Sequence, residues 1–119
     1  MIYEASRAAY PREACGLLIG SKQRATRAAE CRNLATERDR FELHPEDFLK
    51  AELEARAAGL AVIGAWHSHP DQPAIPSARD LENAFEAWVH VICSVTASEV
   101  RELRGWRRSG SNFTEYRVR

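Results

Sequence analysis

The stretch Leu60-Ala61-Val62-Ile63-Gly64-Ala65-Trp66-His67-Ser68-His69-Pro70 decides the fold of this 119-residue chain. Its first seven residues are apolar without alternation, a pattern typical of a strand that is buried on both faces. The strand runs directly into the two histidines. Because side chains alternate along a strand, both imidazoles are predicted to point to the same face of the sheet. The stretch therefore predicts a central strand with a polar end.

Further elements are predicted on both sides of this strand from apolar periodicity and from the turn residues between apolar runs. The predicted helices cover residues 2–9, 45–58 and 77–86, and the predicted strands cover residues 15–20, 26–31, 60–66, 89–95, 99–107 and 112–118. Residues 41–43 are expected to continue the sheet, and the second helix carries Phe48, Leu49, Leu53 and Ala57 at helical spacing. We expect one α/β domain over residues 1–119, with a mixed β-sheet flanked by helices.

The composition excludes several classes of protein. Apolar residues make up 45% and charged residues 29%, with 6 Gly and 5 Pro, which excludes disordered and collagen-like chains. Lys and Arg total 17, as do Asp and Glu, so the long-range field that attracts nucleic acid is missing. No apolar run approaches the roughly 20 residues of a membrane span. We expect a cytoplasmic protein with neither nucleic-acid nor membrane partners, whose three cysteines are reduced and buried.

Three residues suggest a metal site. His67 and His69 share a face, and a loop brings Asp80, eleven residues on, back to them in the first turn of a helix. Two imidazoles and a carboxylate leave one position of a tetrahedral Zn²⁺ open for water. Each residue also has an ordinary explanation, because strand-end histidines are commonly hydrogen-bonded or exposed and Ser77-x-x-Asp80 is the signature of a capping box. Only a metal site requires all of them together. His44 and His90 lack such partners, so we interpret them as a helix-entry residue and a strand residue.

A metal-activated water needs a base, and Glu13 stands immediately before the apolar strand that begins at Cys15. If that strand neighbours the one that runs into His67, Glu13 faces the metal and can accept a proton. The alternative is a solvated glutamate that follows Pro11.

The residues Glu13-Ala14-Cys15-Gly16-Leu17-Leu18, followed by His67-Ser68-His69-Pro70, six residues and Ser77-Ala78-Arg79-Asp80, resemble the JAMM, or MPN-plus, metalloprotease family. The chain looks most like the short prokaryotic branch that acts on small ubiquitin-like sulfur-carrier proteins. This resemblance implies a cytidine-deaminase-like (JAB1/MPN) fold and one Zn²⁺ per chain bound by His67, His69 and Asp80. It also implies that Glu13 is the catalytic acid/base and that Ser77 helps to stabilise the oxyanion.

The resemblance implies hydrolysis of the amide or isopeptide bond after the C-terminal glycine tail of a ubiquitin-like sulfur carrier, or of its C-terminal adduct. The tail is expected to bind as an added strand at an exposed sheet edge. Alternatives are a non-catalytic MPN-type scaffold, a zinc hydrolase of small molecules, and a redox protein that uses Cys15. The sequence does not predict the oligomeric state.

Overall fold

The computed structural model describes residues 1–22, 24–84, 88–116 and 118. Its helices are α1 (Ile2–Ala9), α2 (Pro45–Ala57) and α3 (Ala78–Asn83). Its strands are β1 (Cys15–Ser21), β2 (Arg24–Cys31), β3 (Ala61–Pro70), β4 (Val89–Val95), β5 (Val100–Ser109) and β6 (Asn112–Tyr116). The predicted elements are confirmed in type and order.

The strands form a six-stranded sheet in the order β2-β1-β3-β4-β5-β6. β3 and β4 run parallel, whereas the other neighbouring strands run antiparallel, which confirms the mixed sheet. A parallel pair needs a crossover connection. Here the crossover begins at the carboxyl end of β3 and contains α3. Asp80, in the first turn of α3, therefore lies near that end of β3.

Each face of the sheet packs against one of the two longer helices. Leu17 belongs to the core that contains Ala51 of α2, while the next residue, Leu18, belongs to the core that contains Ala5 of α1. Trp66 lies in the α1 core with no exposed surface, and its indole N–H donates to the Ala29 carbonyl at 3.0 Å. This satisfies the polar atom of a buried ring.

The buried side of α2 differs from the apolar stripe in the sequence. Ala51 and Ala55 are 3% and 1% exposed, whereas Leu49 and Leu53 are 57% and 55% exposed. Both pairs have the i, i+4 spacing of one helix face, so periodicity does not distinguish them. The small alanine side chains let the helix lie close to the sheet, and the larger leucines face outward.

Two other expectations need correction. Residues 41–43 do not extend the sheet, since they contribute an isolated bridge between Leu43 and Asn33. The third helix ends at Asn83, and Ala84 is already extended. The remainder of that predicted helix, Phe85 and Glu86, lies outside the described residues.

The remaining histidines and the cysteines match their predictions. His44 caps α2, where its Nδ1 accepts from the Glu46 backbone N–H at 3.2 Å, and His90 lies in β4. The three cysteines are buried and free of disulfides. Burial raises the pKa of Cys15 to about 12 and that of Cys31 to about 11, which keeps both thiols protonated at neutral pH. Among the described helices, none has the length and apolar character to span a bilayer.

Candidate metal centre

Two neighbouring strands place the histidines and Glu13 at the same end of the sheet. β1 pairs with β3 so that Cys15 lies opposite His67. Ser68, between the two histidines, makes two hydrogen bonds to Ala14, just before β1. Its backbone N–H donates to the Ala14 carbonyl at 3.0 Å, and its Oγ accepts from the Ala14 N–H at 2.8 Å. Glu13 is thereby fixed beside the end of β3, as the adjacency of the two strands predicts.

The start of α3 supplies Asp80 through a capping box. Ser77 Oγ accepts from the Asp80 N–H at 3.1 Å, and Asp80 Oδ2 accepts from the Ser77 N–H at 2.9 Å. These reciprocal bonds satisfy two backbone donors of the first turn. They also fix the Asp80 carboxylate in a single orientation, with Oδ2 toward the histidines.

Three ligand atoms form an almost equilateral triangle. His67 Nε2 and His69 Nε2 are 3.1 Å apart, and Asp80 Oδ2 lies 3.3 Å from the first and 3.1 Å from the second. A tetrahedral Zn²⁺ with bonds of about 2.0–2.1 Å separates its ligand atoms by about 3.3 Å. The three residues therefore fit a zinc ion with a fourth position left for another ligand. The side chains are 4%, 6% and 13% exposed, so solvent competes little for them.

Neighbouring groups orient both imidazoles. His69 Nδ1 donates to the Pro73 carbonyl at 2.9 Å, which leaves Nε2 as the atom that faces Asp80. Such a bond at the second ring nitrogen is the usual companion of a metal-binding histidine. Phe41 stacks on His67 with ring centroids 4.5 Å apart and an angle of 20° between the planes. Each ring is therefore held in place by its own partner.

Burial and hydrogen bonds set the protonation of the three side chains in the triangle. Burial opposes the ionisation of Asp80, but hydrogen bonds from His67 and His69 outweigh it and lower the pKa of Asp80. Burial lowers the pKa of His67, which favours the neutral imidazole. Burial acts in the same direction on His69, but its bonds to Asp80 and to the Pro73 carbonyl prevail and raise its pKa. An ionised Asp80 and a neutral His67 are the forms that bind a divalent cation, whereas a protonated His69 would release its proton when the cation binds.

Glu13 is 7% exposed, and burial raises its pKa to about 8. The positive charge of a protonated His69 acts against this rise, whereas the negative charge of Asp80 adds to it. The Asn33 side-chain amide donates to the Glu13 carbonyl at 2.9 Å and so ties residue 13 to the segment after β2. The carboxyl group therefore exchanges its proton close to neutral pH, unlike that of a solvated glutamate.

The triangle formed by His67, His69 and Asp80 lies between two cavities of different character. One cavity, of about 650 Å³, includes His67 and Asp80 in its wall and is otherwise lined largely by apolar and aromatic side chains, among them Phe41, Trp88 and Phe113. The other, of about 610 Å³, is mainly polar and includes Glu13, His69 and Ser77 with Arg38, Asp39, Asp71 and Arg79. The site thus separates an apolar approach from a polar one.

The structure brings His67, His69 and Asp80 together and places Glu13 and Ser77 in the wall of the adjoining polar cavity. Sequence reasoning missed the contributions of Phe41, Asn33 and Ser68. The contact of Ser68 could have been predicted, because strand alternation points its side chain away from the two histidines and toward a neighbouring element. Phe41 and Asn33 lie in a segment without regular periodicity, where no pattern predicts their partners.

Comparisons with known proteins agree with this geometry. Residues 1–109 match the family described as prokaryotic homologs of the JAB domain. The chain is 36% identical to a desampylase from Pyrococcus furiosus over 100 residues, which cover 84% of this chain and 69% of that protein. It is also 36% identical to a desampylase from Haloferax volcanii over 106 residues, which cover 78% and 76% of the two chains.

Solved structures show the same fold. A protein from Desulfitobacterium hafniense, with 29% identity, superposes with a TM-score of 0.81 over 95% of this chain and 81% of that one. A JAB1/MPN domain protein from Archaeoglobus fulgidus, with 23% identity, superposes with a TM-score of 0.61 over 97% and 85% of the two chains. The predicted JAB1/MPN fold is confirmed.

Proposed function

Because the chain belongs to the prokaryotic JAB-domain family, we propose that it is a zinc-dependent metallopeptidase of the JAMM type. The observation that carries this proposal is the triangle of His67, His69 and Asp80, whose edges of 3.1–3.3 Å match a tetrahedral ion, with buried Glu13 beside it. A non-catalytic scaffold does not need these groups to converge. The desampylase relatives support hydrolysis as the reaction.

His67 Nε2, His69 Nε2 and Asp80 Oδ2 are the atoms that would hold the ion. When bound, Zn²⁺ acts as a Lewis acid and lowers the pKa of a coordinated water toward about 7. Glu13 accepts a proton at its carboxylate and later returns it to the leaving amine. In the metal-free protein burial raises the pKa of Glu13 to about 8, so its carboxylate is a stronger base than that of a solvated glutamate.

Ser77 is proposed to stabilise negative charge on the substrate oxygen. Its Oγ accepts the Asp80 N–H, so one lone pair is engaged in the helix cap while the hydroxyl hydrogen remains available to donate. The side chain borders the polar cavity together with Glu13. One donor of this kind is typically worth about 3–4 kcal/mol in the transition state.

The substrate we propose is a small ubiquitin-like sulfur-carrier protein, cut after its C-terminal glycine tail. β2 and β6 are the edge strands of the sheet, so a tail that is added at either edge is separated from β3 by at least two strands. The 650 Å³ cavity offers another approach, because segment 34–37 and segment 40–43 form one wall of it and His67 and Asp80 lie in the same lining. A narrow glycine tail fits such a groove, and the leaving group would occupy the polar cavity.

The test uses the purified chain loaded with zinc and a carrier protein fused through its terminal glycine to cysteine or to a short peptide. We expect mass spectrometry to show release of the group after the glycine, and we expect Glu13→Gln to retain zinc while losing turnover. A wild-type protein that binds zinc stoichiometrically and leaves every carrier fusion intact would exclude this substrate class. A protein that binds no zinc would exclude the metallopeptidase.

A further inference from the structure

The loop between β3 and α3, residues 71–76, is held by strands that carry none of the proposed ligands. The Asp71 N–H donates to the Val95 carbonyl of β4 at 2.7 Å. The Ser94 hydroxyl, also on β4, donates to the Gln72 carbonyl at 2.5 Å. This loop connects the two histidines with Asp80, so its position decides whether the ligands meet.

Ala74 is the anchor of the loop. It has no exposed surface, although its neighbours Pro73 and Ile75 are exposed. Both of its backbone polar groups bind side chains of β5: its N–H donates to Glu102 Oε1 at 3.2 Å, and its carbonyl accepts from the Trp106 indole N–H at 3.0 Å. Two side chains of one strand therefore specify the orientation of a single loop residue.

One of these bonds reaches a proposed ligand through a rigid group. The Ala74 N–H and the Pro73 carbonyl belong to the same planar peptide unit. Glu102 binds the N–H end of this unit, and His69 Nδ1 binds its carbonyl end at 2.9 Å. The plane that Glu102 orients is thus the acceptor that orients His69. A carboxylate at the N–H also polarises the unit and strengthens the carbonyl as an acceptor.

We propose that Glu102 and Trp106 are positioning residues of the metal centre. Glu102 fixes the peptide plane between Pro73 and Ala74, and Trp106 fixes the adjoining plane between Ala74 and Ile75. Together they keep the proton of His69 on Nδ1 and present Nε2 to the ion. The inference rests on the metal site of the proposed function. Replacing outer partners of a ligand typically weakens metal affinity 10- to 100-fold, and we expect about 10-fold here, because the residues act through the loop.

The experiment compares Glu102→Ala, Glu102→Gln and Trp106→Phe with wild type in the full chain. The control is Arg101→Gln, which removes a charge at an exposed position next to Glu102 on the same strand. Zinc dissociation constants come from competition with a chromophoric chelator. We expect Glu102→Ala and Trp106→Phe to raise the constant about 10-fold, Glu102→Gln to restore most of the affinity through its amide oxygen, and the control to match wild type.

A second readout needs no metal. Nitrogen-15 spectra of the imidazoles in zinc-free protein at pH 9 report which ring nitrogen of His69 carries the proton. We expect Nδ1–H in wild type and a mixture of tautomers in Glu102→Ala and Trp106→Phe. If wild type binds no zinc, the proposed function fails and these spectra still decide the positioning role.

The proposal is overturned if the variants lower only the melting temperature of the zinc-free protein, with zinc affinity within twofold of wild type and the tautomer unchanged. Should Glu102→Ala not fold, Trp106→Phe, which retains an aromatic ring, decides by the same two measurements.

Discussion

The buried carboxyl of Glu13 makes the stability of the zinc-free protein depend on pH. Its pKa rises from 4.5 to about 8 on folding, so the folded protein binds this proton more tightly than the unfolded chain does. The stability that results is fully present below pH 4.5 and is lost as the pH rises through about 8. At about 1.4 kcal/mol per pH unit, the loss is about 5 kcal/mol. This is a large share of the roughly 5–15 kcal/mol that stabilises a typical domain.

Glu13→Gln replaces the carboxyl with a neutral group of similar shape. Urea unfolding of both proteins, with a chelator present and circular dichroism as the signal, gives the free energy of unfolding at each pH from 4 to 9. We expect the free energy of unfolding of the variant, minus that of wild type, to increase steadily above pH 5. At pH 9 this difference should exceed its value at pH 4 by about 5 kcal/mol. Titrating groups that do not interact with Glu13 are common to both proteins and cancel in the comparison, whereas His69, whose pKa the Glu13 charge raises, contributes to the difference.

Glu52→Gln, which changes an exposed carboxyl on α2, serves as the control and is expected to show no such trend. A constant difference between Glu13→Gln and wild type across this pH range would mean that Glu13 is already ionised and solvated in the folded protein. In that case the acid/base role proposed for it would lose its physical basis.

Three further perturbations test the site and its support. Asp80→Asn is expected to abolish the zinc-dependent rise in melting temperature, which in wild type reflects about 2.7 kcal/mol at a zinc concentration 100 times the dissociation constant. Gly16→Ala would bring its Cβ within 2.3 Å of Trp66 Nε1, so denaturant titration should show a loss of about 3 kcal/mol or more. Phe41→Ala removes the ring stacked on His67 and should weaken zinc binding in a chelator competition, while Leu49→Ala, an exposed position, should not.

Local rules account for most of the site. Strand alternation places His67 and His69 on one face, and the capping signature from Ser77 to Asp80 sets the start of α3. These rules operate over a few residues, so sequence alone is sufficient for them. The short crossover from β3 to β4 then constrains the start of α3 to lie beside the end of β3.

Other features depend on contacts between distant segments. Leu49 and Ala51 belong to stripes of equal period on α2, and only the distance between helix and sheet selects the alanine. Phe41 does not join the sheet. Its ring stacks on that of His67, a histidine 26 positions away in the sequence. In the sequence Trp106 resembles any aromatic residue of a strand, whereas in the structure its indole N–H donates to the Ala74 carbonyl. Periodicity carries no information about such partners.

A single oxygen, Oδ2 of Asp80, both caps α3 and faces the two imidazoles. Anyone who redesigns the site for a different cation therefore cannot exchange this ligand in isolation. A longer acid would shift the oxygen outward by one methylene and loosen the first helical turn. A histidine would replace the shared oxygen with two separate ring nitrogens, so that one atom could no longer serve both the Ser77 amide and the imidazoles. Changes of ion preference are more readily sought at His67, since His69 also donates to the Pro73 carbonyl of the crossover loop.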